Sequence, residues 1–182
     1  MAITFTGVAF LTVTALPLAA LVVWALARLR RSAGATSSWR KSLAEVGIVY
    51  GTVPWVWLTM LPGSGAGVVP GRVSLVPLRD LLAMSPSQIV GNLLVFAALG
   101  FFAPLRFAAL SSVPRILALA AGCSVLVETA QYALRLDRVS SVDDVLLNAA
   151  GAGLAALASR RWWHTTTSAV PDRPRPAPAP ER

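Results

Sequence analysis

Charge is what this chain has least of. Only 13% of its 182 residues are charged, about half the ~25% of an ordinary soluble domain. There is one cysteine, Cys123, so neither an intrachain disulfide nor a Cys-x-x-Cys metal or redox pair can form. There is one histidine, His164, next to a polar tail, which leaves no material for a multi-histidine metal site and argues against a Ser-His-Asp triad. Lys41 is the only lysine and belongs to no phosphate-loop motif, and no Gly-x-Gly-x-x-Gly follows a strand pattern.

What the chain does have is apolar length. Hydrophobic residues make up 55% of it, and windows 2–27, 46–71 and 81–105 carry no charge at all. That excludes a disordered protein. About 20 apolar residues in a helix cross the hydrocarbon core of a bilayer. Five such spans can be drawn, at about 4–27, 43–61, 88–105, 115–134 and 142–163. The expected fold is all-α, a polytopic integral membrane bundle of about five transmembrane helices. Its expected parts are an N-terminal helix with a basic loop (1–41), a four-helix membrane domain (42–163), and a disordered proline-rich tail (164–182).

The first span is too long for a signal peptide, and its arginines follow the apolar run, so it reads as a retained helix. Twelve Lys and Arg residues fall on one side of the five spans and four on the other, Arg72, Arg79, Arg135 and Arg138. The positive-inside rule then places the N-terminus outside and the C-terminus in the cytoplasm. The net charge of +8 describes those cytoplasmic segments, and no nucleic-acid partner is expected. Residues 62–80, rich in Gly and Pro, read as an irregular outer loop with a short interfacial helix near Leu81, Leu82 and Met84. Trp24, Trp39, Trp55, Trp57, Trp162 and Trp163 fall near the ends of spans, where tryptophan is favoured.

Ionisable groups are expensive inside a membrane, and this chain gathers them in its last three spans. Ser124, Glu128, Gln131 and Arg135 are spaced to share one helical stripe, as are Asp144, Asn148 and Gly151. Asp143 lies on the adjacent face, and Gln88 and Asn92 are one turn apart. The derived topology brings Asn92, Glu128, Gln131, Asp143, Asp144 and Asn148 to the outer half of the membrane, with Arg138 in the connection above them. Structural roles compete with functional ones. Glu128 has Arg135 and Arg138 as available ion-pair partners. Asp143 suits the first turn of a helix capped by Ser140 or Ser141. Interhelical hydrogen bonding alone accounts for Gln131 and Asn148. The small residues from Ala149 to Ala158 predict close packing of the last helix.

At these residues the sequence resembles the VanZ-like family of bacterial membrane proteins, over about 74–157. Ser74-Leu75-Val76-Pro77-Leu78-Arg79 is similar to the family's Asn-Leu-x-Pro-Phe segment. Gly91-Asn92-Leu93-Leu94-Val95-Phe96, ending in Leu99-Gly100, resembles its Gly-Asn-x-x-x-Phe-x-Pro-Leu-Gly helix. Ser124, Glu128 and Gln131 match Ser-x-x-x-Glu-x-x-Gln. Arg138, Asp143, Asp144, Asn148 and Gly151 match the closing Arg…Asp-Asp-x-x-x-Asn-x-x-Gly. Ser74, Ala98 and Ser141 stand where the family usually has Asn, Pro and frequently an acid. The resemblance implies a membrane protein of the bacterial envelope and, for some members, a part in resistance to glycopeptide antibiotics such as teicoplanin.

Two functions are expected to compete. One is an envelope factor that binds a lipid-linked cell-wall precursor or a lipoglycopeptide through an outer-leaflet polar site, with Asn92, Gln131, Asp143 and Asn148 as ligand contacts. The other is an intramembrane enzyme acting on a lipid-linked precursor. Its candidate catalytic residues are Glu128, Asp144 and Arg138, with Asp143 or Asp144 as the carboxylates for a divalent cation. A transporter fits less well, because no internal repeat is evident. The lipid bilayer is the only partner the composition itself requires, and no cofactor, metal or oligomeric state is implied.

Overall fold

The computed structural model describes residues 5–166, with side chains to Trp163. The tail expected at 164–182 lies outside the described residues beyond Thr166, as do Arg173, Arg175 and Arg182 of the charge count. The described residues form six α-helices: α1 (Phe5–Ser32), α2 (Ser38–Thr59), α3 (Pro86–Val95), α4 (Ala97–Arg106), α5 (Val113–Ala133) and α6 (Val142–Ser159). α3 and α4 are two halves of one membrane-length rod broken at Phe96, whose φ of −114° and ψ of 14° leave the helical region. The rod starts two residues before the expected boundary, at Pro86. Ser85 caps it there by accepting the Gln88 N–H while the Gln88 side chain receives the Ser85 N–H.

Among the described residues, four units are long and apolar enough to cross a membrane: α1, the α3–α4 rod, α5, and α6 extended to Trp163. The fifth helix, α2, spans 22 residues but has a polar start containing Arg40, Lys41 and Glu45. The chain is a multi-pass membrane protein. α6 lies at the centre, packed on α4, α5 and α3. α2 bridges α4 to α1, and α1 packs chiefly on α2.

The centre is held by backbone proximity. A Cβ at Gly151 would overlap the carbonyl group of Leu93, and one at Gly100 would overlap that of Ala152. The small-residue surface of α6 is therefore spent within the bundle, where dispersion rather than water exclusion holds helices together. Cys123 packs against the same core. Trp55 and Trp163 depart from the expected interfacial belt. Trp55 packs against the core. Trp163 is 7% exposed and donates its ring N–H to Ser159 Oγ at 3.0 Å.

At one end of the bundle Glu45 joins three helices. Its carboxylate pairs with Arg30 of α1 and Arg106 of α4, each at 2.5 Å. The other end carries structure that hydropathy did not show. β1 (Arg72–Ser74) and β2 (Val139–Ser141) form a two-stranded parallel sheet, with Arg72 opposite Val139 and Ser74 opposite Ser141. Residues 62–80 are thus an ordered cover. Gly63 and Gly67 donate backbone N–H groups to the carbonyls of Leu136 and Arg135, both at 2.9 Å. A single 3-10 turn, Leu81–Ala83, takes the place of the expected interfacial helix.

Candidate functional site

Asp143 explains why the cover is ordered. It opens α6, is 1% exposed, and its carboxylate accepts three backbone N–H groups. Those of Leu78, Asp80 and Leu81 approach at 2.6, 2.9 and 2.9 Å. Leu78 adopts a left-handed φ of 65°. Such a backbone is costly for a branched side chain and persists only where its surroundings hold it. Ser141 caps α6 by accepting the Asp143 N–H at 3.2 Å, and its hydroxyl donates to Asp80 Oδ2 at 2.6 Å. The Ser141 hydroxyl, with that of Ser74, holds the Asp80 carboxyl below the usual aspartate range. Position 141, frequently acidic in the family pattern, is here the hydroxyl that joins Asp80 to the start of α6.

Beneath this cover lies a cavity of about 560 Å³. Glu128 and Gln131 of α5, Asp144 and Asn148 of α6, Asn92 of α3 and Arg138 beside β2 all line it. These come from four segments, as the stripe spacing and the Gly-Asn motif anticipated for the helical ones. Asp143 is not among the lining residues. It was expected as a ligand contact or a cation ligand, but its oxygens are occupied by the Leu78–Leu81 backbone. Arg135 also leaves its stripe. α5 ends at Ala133, and Arg135 turns away at a φ of 50°.

The lining groups hold one another mostly through neutral donors. Glu128, 9% exposed, accepts the Ser141 N–H at 3.2 Å, while its own carbonyl receives the Ser140 hydroxyl at 2.9 Å. The Asn92 amide donates to Asp144 Oδ1. Asn148 donates to Ser124 Oγ at 2.7 Å, and its Oδ1 is buried without a partner. Gln131 donates to the Thr59 carbonyl at 2.9 Å and Arg138 to that of Leu61 at 3.2 Å, which tie α5 and β2 to the end of α2. Neither Arg135 nor Arg138 pairs with Glu128. The ion pairs among the described residues are those of Glu45. No three His, Cys, Asp or Glu side chains among the described residues form a group able to hold a metal ion.

Several contributors to this cavity were not singled out as site residues in the sequence. Arg72 and Asp80 lie in the segment read as irregular loop, Asp137 lies in the turn before β2, and Trp55 was assigned to the interface. The signal for Asp80 was its position just after the Pro77-containing motif. Arg72 had no local signal, because it reaches the site through pairing with a strand far along the chain.

A family model described as VanZ/LLP1 matches residues 48–163, more than half of the chain. The match takes in α3 to α6, both strands and most of α2. No curated protein and no solved structure matches the chain.

Proposed function

The chain belongs to the VanZ/LLP1 family, and we propose that it acts in the bacterial envelope by holding a lipid-linked or lipidated ligand in its polar cavity. The unit that carries the function is residues 42–163, in the plasma membrane, with the cavity in the outer leaflet half, the N-terminus outside and the C-terminus in the cytoplasm.

The observation that supports this most is the double character of the cavity wall. Trp55, Leu58, Val95 and Val127 line the cavity with apolar side chains, while Glu128, Asp144, Asn92 and Asn148 bring polar groups to the same wall. A concavity that sets fixed polar groups beside an apolar wall suits an amphiphilic ligand. Occupying a lipid-linked precursor or a lipoglycopeptide there would alter wall assembly or antibiotic access, which links the site to glycopeptide resistance.

A second reading has its own support, since carboxylates and guanidiniums share the cavity. In an intramembrane enzyme, Glu128 would take a proton from the attacking group, Arg138 would hold a phosphate, and Asp144 would assist.

Glu128→Gln and Asp144→Asn separate the readings, because each keeps size and hydrogen bonding but removes ionisation. The measurements are ligand retention by the purified protein and glycopeptide susceptibility of cells producing it. Retained binding with a lost phenotype supports the enzyme. Loss of both together supports the binding protein. Binding and phenotype unchanged in the double variant would remove both roles from these carboxylates.

A further inference from the structure

Two guanidinium groups, Arg72 and Arg138, and four carboxylates, Asp80, Glu128, Asp137 and Asp144, line the cavity. Arg72 pairs in register with Val139, so it sits across the sheet from the residue that follows Arg138. Both arginines line the cavity, both are exposed, and neither forms an ion pair among the described residues. Deeper in, Glu128 is held by a backbone N–H and Asp144 by an amide, both neutral donors. Asn148 is 3% exposed and borders the same space, and its buried Oδ1 accepts nothing. Glu128 and Asp144 form no direct ion pair among the described residues, and with an amide oxygen that has no donor they leave room for a further positively charged group with several N–H bonds. The exposed edge of the cavity, with two guanidiniums that form no ion pair among the described residues, suits a phosphate.

We propose that the ligand is a zwitterionic amphiphile whose head group carries a phosphodiester and, a few atoms away, a primary ammonium, the chemistry of an ethanolamine phospholipid. The phosphate would sit at Arg72 and Arg138. The ammonium, with three N–H donors, meets three acceptors in Glu128, Asp144 and Asn148. The chains leave along the wall formed by Trp55 and Leu58. This rests on the ligand-binding reading above and narrows it to one head-group chemistry.

The test uses the full chain purified in detergent and native mass spectrometry with phosphatidylethanolamine, phosphatidylcholine and phosphatidylglycerol of identical acyl chains. The choline lipid has a cation with no N–H, and the glycerol lipid has phosphate but no cation. The wild type is expected to retain the ethanolamine lipid about tenfold better than either. Arg72→Gln with Arg138→Gln should lower retention of the ethanolamine and glycerol lipids together. Asp144→Asn should bring the ethanolamine lipid down to the choline level. Gly91→Phe, which fills the cavity from α3, should abolish retention. Soluble phosphoethanolamine that displaces the lipid would show that the head group alone suffices. A preference that survives an excess of it would assign the anchored lipid, and both results support the proposal. Equal retention of all three lipids that Gly91→Phe abolishes would overturn the head-group assignment and leave the binding reading standing. Retention unaffected by Gly91→Phe would overturn both.

Discussion

Asp143 and Asp144 are adjacent in the chain and serve two different structures. Asp143 turns to the cover and accepts the N–H groups of Leu78, Asp80 and Leu81. Asp144 turns to the cavity and accepts the Asn92 amide. The first aspartate builds the roof of the site and the second lines it.

Substitutions at the two positions should therefore fail in different ways. Asp143→Ala leaves three donors without an acceptor, at about 1–3 kcal/mol for each one that is buried. It should lower thermal stability in detergent and expose residues 62–80 to proteolysis. Asp144→Asn keeps an acceptor for Asn92 and should stay within about 1 kcal/mol of wild type, while ligand retention falls. Equal stability losses at both positions would contradict this division.

The glycines give a graded prediction about packing. Gly151→Ala and Gly100→Ala force a methyl group into the backbone of Leu93 and Ala152, which a side-chain adjustment cannot relieve. Each should cost about 1–3 kcal/mol, read as a lower unfolding temperature. Gly91 has no atom within 4 Å of an added Cβ. Gly91→Ala should be neutral or stabilising by up to about 1 kcal/mol through helix propensity.

Orientation can be read with single cysteines in a Cys123→Ala background. Val68→Cys lies in the cover, where Val68 is 85% exposed, and Thr36→Cys lies in the exposed α1–α2 loop. A membrane-impermeant maleimide applied to intact cells should label Val68→Cys and spare Thr36→Cys. The reverse pattern would put the cavity on the cytoplasmic side.

Asp80 sets an acid-side dependence. The Ser141 and Ser74 hydroxyls favour its ionised form, so folding lowers its proton affinity. The resulting stabilisation is present above the ordinary aspartate range and disappears as pH falls through the lower, folded value. Asp80→Asn should reduce stability at about pH 7 more than at about pH 3, which flattens the profile of unfolding temperature against pH. An unchanged slope would show that the Ser141–Asp80 bond contributes nothing to the cover.

Much of the fold was legible because its causes are local. Apolar runs of membrane length and the small residues of α6 each act within a few turns of helix. The stripes through Glu128 and Asp144 were legible for the same reason, since spacing alone puts residues on one face. Residues 62–80 were not. Their glycines and prolines announce only turns, and what orders them lies elsewhere, in Asp143 and in the strand Val139–Ser141. Arg135 shows the converse. The spacing extended its stripe past the point where α5 stops, because periodicity does not record a helix end.

The chain's poverty in charge was enough by itself to determine that it is a membrane bundle, and its motifs were enough to indicate the family. Hydropathy and helical spacing are properties of neighbouring residues, and these conclusions need nothing more. Only the tertiary structure decided which polar residues share a space. Arg72 is brought opposite Val139, next to Arg138 in the chain, by a parallel strand pair, and Asp143 is taken from the cavity by a loop more than sixty residues earlier in the chain. Contacts between distant segments depend on backbone approach, at Gly151 against Leu93 above all, and no local pattern encodes which segments will meet there.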